Sequence, residues 1–310
     1  DISGDCLAKN RHRNVEVVSA ALGCRVDVDF GDAHIERLGG PSTAEVAHGS
    51  LNAIDLAGLT ARLRFSDLMA RKIAGDLQFE GEHSDVRIEE VKGNVTLKNQ
   101  GDIDIQNVQG RVSVENERGH VRVMKVQDGA TIRNTFDTVA ASDVSGVLEV
   151  INRHGEIRAQ RFSKGARLET DSEDVEVSDF EGPLTVVAKR GNVAVKPVRR
   201  SLSPMDVQVD VGDIHLGLAD SINASLDAEI ETRGDITANV GALRSLAEGK
   251  RSLKATVGAG GALLKLRSRL GDIQLDSDSE VEVAEPEMPD APEIDTRARG
   301  IGAAPLPATP

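Results

Sequence analysis

The feature that most constrains this chain is a glycine-punctuated alternation that returns every seventeen or eighteen residues. Within 91–116 a Gly-x-apolar-x-apolar unit occurs at Gly93, Gly101 and Gly110, and Asn99 returns as Asn116. A strand shows successive side chains to opposite faces, so the apolar residues two and four places after each turn residue share one face. One series of turn positions is Gly31, Gly49, Ser66, Ser84, Gly101, Gly119, Asp137, Gly155, Glu173 and Gly191. A second series, offset by half a repeat, is Gly40, Gly58, Gly75, Gly93, Gly110, Asp128, Gly146, Gly165 and Gly182. Two interleaved ladders of constant period predict coils lying on one another.

A helix is excluded, because residues paired at i and i+2 make no 3.6-residue stripe and each interior Gly would cost about 1 kcal/mol. Independent antiparallel hairpins would alternate too, but they do not require every position to recur at one interval. The reading is therefore an all-β chain, a parallel β-solenoid (β-helix) with about 18 residues and two short strands per rung. Pairs such as Val95 and Leu97, Ile103 and Ile105, or Val193 and Val195 face in, whereas Arg87, Asp104, Arg122 and Glu176 face out. The absence of Trp and Tyr and the presence of only six Phe fit a thin interior filled by Val, Ile, Leu and Ala.

Four segments are expected. Residues 1–30 are a cap or degenerate first rungs, and 31–195 are the regular solenoid, about nine rungs and on the order of 43 Å at the usual strand spacing. Residues 196–276 follow the basic, Pro-containing break at Lys196-Pro197-Val198-Arg199-Arg200 and resume in wider rungs, with Gly212-Asp213-Ile214, Gly234-Asp235-Ile236 and Gly271-Asp272-Ile273. Residues 277–310 hold six of the ten prolines and eight acids against two arginines, the composition of an extended tail.

The candidate residues follow from the register. Asn99, Asn116, Asn134 and Asn152 share one repeat position, where stacking predicts a ladder of side-chain amides that satisfies the turn. Cys6 and Cys24 are one repeat apart, which on adjacent rungs leaves them within disulfide reach, and a disulfide implies an oxidising compartment. Asp32, Asp67, Asp85, Asp102 and Asp174 form an outward column in which Asp85 and Asp102 are neighbours placed to bind a cation such as calcium, but Asp after a turn Gly is also the ordinary turn choice. His83, His120 and His154 recur about two rungs apart, roughly 10 Å, too far to chelate one ion, and neither Cys has a His motif beside it. No catalytic, cofactor or metal residue is assigned. The chain starts without Met or a leader, as a mature or trimmed product would, and no apolar run is long enough to span a bilayer. The net charge of −14 disfavours nucleic acid and anionic lipid as partners.

The iterated Gly-Asp-Ile/Val units, the Val-x-Asn-x-x-Gly units and the closing Arg267-Ser-Arg-Leu-Gly-Asp-Ile-Gln-Leu275 resemble a bacterial adhesin-type β-helix family of envelope proteins of unknown function. The resemblance covers about residues 25 to 276. It implies export and a β-helix; it carries over no functional residue, and this chain lacks the membrane anchor found in that family. Two functional classes are expected to compete. One is a non-enzymatic structural or adhesin-like extracytoplasmic protein, with itself as partner in end-to-end assembly. The other is a carbohydrate-active or carbohydrate-binding β-helix with polysaccharide as partner.

Overall fold

In a computed structural model of the chain, residues 6–198, 202–219, 222–241 and 243–277 are described. Among them there is no helix, and every element is a strand of an all-β solenoid. Two stacks of parallel strands run along its axis. One contains Val86–Val91, Ile103–Val108, Val121–Val126, Val139–Val144 and Ile157–Phe162, each paired in parallel with the next. The other contains Val95–Asn99, Val112–Asn116, Gly129–Phe136, Val147–His154 and Ala166–Ser172, paired likewise. Equivalent residues meet one repeat apart: Ile103 lies between Val86 and Val121, and Asn116 between Asn99 and Asn134. β-Branched residues suit this pleated, doubly paired geometry.

The two stacks close on one core of buried Val, Ile, Leu and Ala, with three of the six Phe, Phe79, Phe162 and Phe180, also inside. One stack has three inward positions per rung, as in Val86, Ile88 and Val91 or Ile103, Ile105 and Val108, all buried. The step from the second to the third is three residues, which would reverse the facing of a plain strand. The reversal is made by a left-handed residue just before the third position. Ser19, Arg37, Asp55, Lys72, Glu90, Asn107, Lys125, Asp143, Arg161 and Asp179 all have φ between 50° and 62° and form one corner column.

The register is already running near the N-terminus, where Cys6 pairs with Cys24 and Val15 with Ala33. Asp104 faces out as expected, yet it is only 1% exposed, lying between Arg87 and Arg122 of the adjacent rungs. Its carboxylate accepts both contacts offered by Gln106 Nε2, at 3.1 and 3.2 Å.

The C-terminal part is not the simple series of wider rungs that its Gly spacings suggest. The strands Met205–Val211 and Ile214–Leu218 stack regularly on Leu184–Arg190 and Val193–Lys196. The next layer, however, is the late pair Ala262–Leu270 and Ile273–Ser277, with Leu264 on Met205 and Ile273 on Ile214. The end pair Ala224–Arg233 and Ile236–Asn239, earlier in the chain, lies outside it. The turn glycines record this order. A Cβ on Gly271 would overlap the carbonyl oxygen of Gly212, and one on Gly234 would overlap that of Gly271. A hairpin, Leu243–Gly249 and Ser252–Val257, then lies antiparallel on Ala224–Arg233. Of the expected tail at 277–310, Ser277 ends the last strand and 278–310 lie outside the described residues, as do Arg199 and Arg200 of the basic break.

Candidate functional site

The Asp column is used by the backbone. Asp85 N–H donates to Asp67 Oδ1 and Asp102 N–H to Asp85 Oδ1, both at 3.2 Å, and His120 N–H donates to Asp102 Oδ1 at 2.8 Å. The same bond recurs at Asn192 on Asp174 and along Asp213, Asp272 and Asp235 in stacking order. Asp67, Asp85, Asp102, Asp174, Asp213 and Asp272 thus close the turn of the next rung, whereas Asp32 accepts from Ser50 Oγ at 2.8 Å. Asp85 is squeezed in this row: burial, with the neighbouring charges of Asp102 and Asp67, raises its pKa against the lowering effect of the Asp102 N–H. Among the described residues no group of three His, Cys, Asp or Glu could hold a metal ion.

The asparagines point inward. Asn99, Asn134 and Asn152 are at most 3% exposed and Asn116 is 6% exposed. Their amides donate to turn carbonyls, Asn99 to Ser84 O at 2.7 Å, Asn116 to Arg118 O at 2.8 Å and Asn152 to Asp137 O at 2.8 Å. One amide-to-amide link is present, Asn116 Nδ2 to Asn134 Oδ1 at 3.2 Å. The row is therefore chiefly a set of internal turn clamps. Thr170, the next position, does the same with its hydroxyl to Ser172 O at 2.7 Å. Cys6 and Cys24 are disulfide-bonded, with their Cα atoms 4.5 Å apart.

The histidines divide between columns in a way their sequence spacing concealed. His120 belongs to the Asp column, whereas His12, Phe30, His48, Phe65 and His83 stack face to face on an outer corner. Their ring centroids lie 5.6, 4.8, 5.5 and 5.1 Å apart, with interplanar angles of 14° to 20°. Phe136 and His154 continue the column further along at 5.2 Å. Phe30 and Phe65 remain 50% and 55% exposed, so the row presents ring edges to solvent. The readable signal was the alternation of His and Phe at the repeat interval, visible only when both residue types are placed in one register.

Beside this row the second stack carries an alternating charge column: Glu45, Arg62, Glu80, Lys98, Glu115 and Arg133 on successive rungs. Two adjoining troughs, of about 410 and 620 Å³, run over it and share Glu80 and Glu82. Arg64 and Glu82 connect the troughs to the rings, since Phe65 and His83 follow them directly. A third trough of about 670 Å³ follows the left-handed corner from Asp55 to Asp143. There Arg161 Nε donates to Asp143 at 2.8 Å, and this holds the Asp143 carboxyl below the usual range. These surfaces offer fixed charges and ring edges at rung intervals.

The fold and its surface ladders define a β-solenoid repeat protein. A family model described as Toastrack DUF4097 matches residues 138–276, the later regular rungs together with the rearranged end. The match and the stacked strands fit a β-helix family of unknown function. No curated protein and no solved structure matches the chain.

Proposed function

We propose that this protein is a non-enzymatic, extracytoplasmic rod of the structural or adhesin-like kind. Its contact face would be the alternating charge column and the His–Phe row of the N-terminal half. The observation that carries the reading is the use of the Asp column: carboxylates that could have served chemistry accept backbone N–H groups rung after rung. The Cys6–Cys24 disulfide supports an oxidising location. Self-association is part of the proposal, since the strand edges at an end of a parallel stack can pair with those of another copy. Growth along the edge of Ala224–Arg233 is not part of it, because an antiparallel hairpin covers that strand.

The carbohydrate reading has the troughs in its favour. Against it, sugar rings stack on aromatic faces, and here both faces of Phe30, His48 and Phe65 are covered by neighbouring rings. The test is sedimentation of the intact chain over a concentration series, together with incubation on a panel of acidic and neutral polysaccharides. A concentration-dependent pair without release of reducing or unsaturated ends is expected. Turnover of any glycan would overturn the non-enzymatic reading, and a monomer at every concentration would remove self-association from it.

A further inference from the structure

The rearranged end carries a more specific conclusion. Through the strand register, Leu218 is equivalent to Asp179 and Ala262 to Gly182, by way of Ser178 on Lys196, Val195 on Leu216, and Leu184 on Met205 on Leu264. Two residues separate Asp179 from Gly182, whereas forty-three separate Leu218 from Ala262. If residues 220–260 were absent, Ala219 and Gly261 would supply those two residues, and Ile273 would follow Ile214 by eighteen, the interval of the regular rungs. The late pair is thus the natural next rung of the repeat, and 220–260 is an excursion placed within its turn.

What the excursion does is visible in its pairings. It supplies the end pair, which lies in parallel register on the late pair and continues the turn ladder: Asp235 N–H donates to Asp272 Oδ1 at 2.9 Å. It then supplies the hairpin, which turns the last strand order antiparallel. The covered layer is one that would otherwise be an open end. Leu264, Leu266, Ile273 and Leu275 are all fully buried, and both late strands are paired on their two sides. Uncovered, that layer would present unpaired backbone and an apolar cross-section, the condition under which strand edges recruit other chains. The outermost strand, Leu243–Gly249, is instead exposed and charged, with a register shift between Ser245 and Ala247.

We infer that residues 220–260 are a built-in terminator of the stack, and that the surface they cover, the outer edge of the late pair, is an association site for a second copy of this chain. The occupant is a second copy because the edge accepts a parallel rung with matched turn Gly and Asp, and this chain's own end pair already meets it in that register. The inference goes beyond the proposed rod, and the matching parallel edge would come from the opposite end of the second copy.

The test compares the intact chain with a variant in which Ala219 is joined directly to Gly261. By sedimentation, the shortened rod should associate at protein concentrations at least tenfold lower than the intact chain, and electron microscopy should show rods joined end to end. A second variant, Ala255→Pro, loosens the hairpin strand opposite Leu226 without shortening the chain and should shift association in the same direction by a smaller factor. A folded shortened rod no more associated than the intact chain would overturn the inference. Failure of both variants to fold would overturn it as well, because 220–260 would then be an integral part of the rod instead of a cover.

Discussion

At the scale of the residue, the positions that matter most are those that stacking repeats. Gly81 breaks the inward row that continues as Asn99, and a Cβ there would collide with Asn99 Oδ1 and the ring of Phe79. Gly81→Ala should therefore destabilise by about 1–3 kcal/mol in urea unfolding. Asn152→Ala leaves the carbonyls of Asp137 and Glu156 without their side-chain donor and should cost about 2 kcal/mol, read the same way. Asp85 gives the opposite sign. Burial and its neighbours raise its pKa above the unfolded value, so the folded state holds the extra proton between the two, and stability falls as pH rises through that window. Asn does the same accepting job at Asn14 and Asn192 without the charge. Asp85→Asn should accordingly stabilise the fold at pH 7, by less than about 1 kcal/mol after solvent screening and read as a raised melting temperature, and the gain should vanish below the carboxylate range. The glycines and asparagines were readable because they fill one position in many rungs. The left-handed corner was readable only through its broken parity, since Lys72, Glu90 and Lys125 are not residues that advertise positive φ.

At the scale of the element, a rung is held by its neighbours more than by its own sequence. Surface ion pairs such as Arg62 with Glu80 at 3.4 Å, 62% exposed on both sides, contribute little individually. What they do is keep like charges from stacking in parallel register. The larger contributions lie inside, where Phe162 stacks on Phe180 at 5.1 Å. Phe162→Ala should cost about 3–5 kcal/mol. The first rung is different, because it has a neighbour on one side among the described residues and is stapled by Cys6–Cys24. Closing an eighteen-residue loop is worth about 3 kcal/mol in the chain-entropy account. In a stack whose stability is a sum of local terms, the loss should stay local. Replacing both cysteines by Ser should raise amide exchange over 6–28 while leaving rungs such as Val121–Val126 protected; uniform loss of protection would contradict this. The strands and their register were legible in the sequence because alternation and period both survive in every rung. The His–Phe row was not, because its five members belong to two residue types and each type alone recurs at twice the interval.

At the scale of the whole molecule, sequence order and stacking order agree from the first rung to Leu218 and then part. No local signal distinguishes the two arrangements, since Gly212, Gly234 and Gly271 open equivalent Gly-Asp-Ile units. The choice is made by the interval that 220–260 interrupts. One consequence concerns force. In a solenoid whose last strands are also its outermost, tension on the C-terminal side peels one ladder at a time, each hydrogen bond breaking in turn. Here the strand that ends at Ser277 is gripped by Ile214–Leu218 on one side and Ile236–Asn239 on the other. A load applied beyond Ser277 must shear two ladders together or first lift off the end pair. If that end of the chain is tethered, the rod should therefore resist peeling at the tether better than a solenoid whose last strand is its outermost.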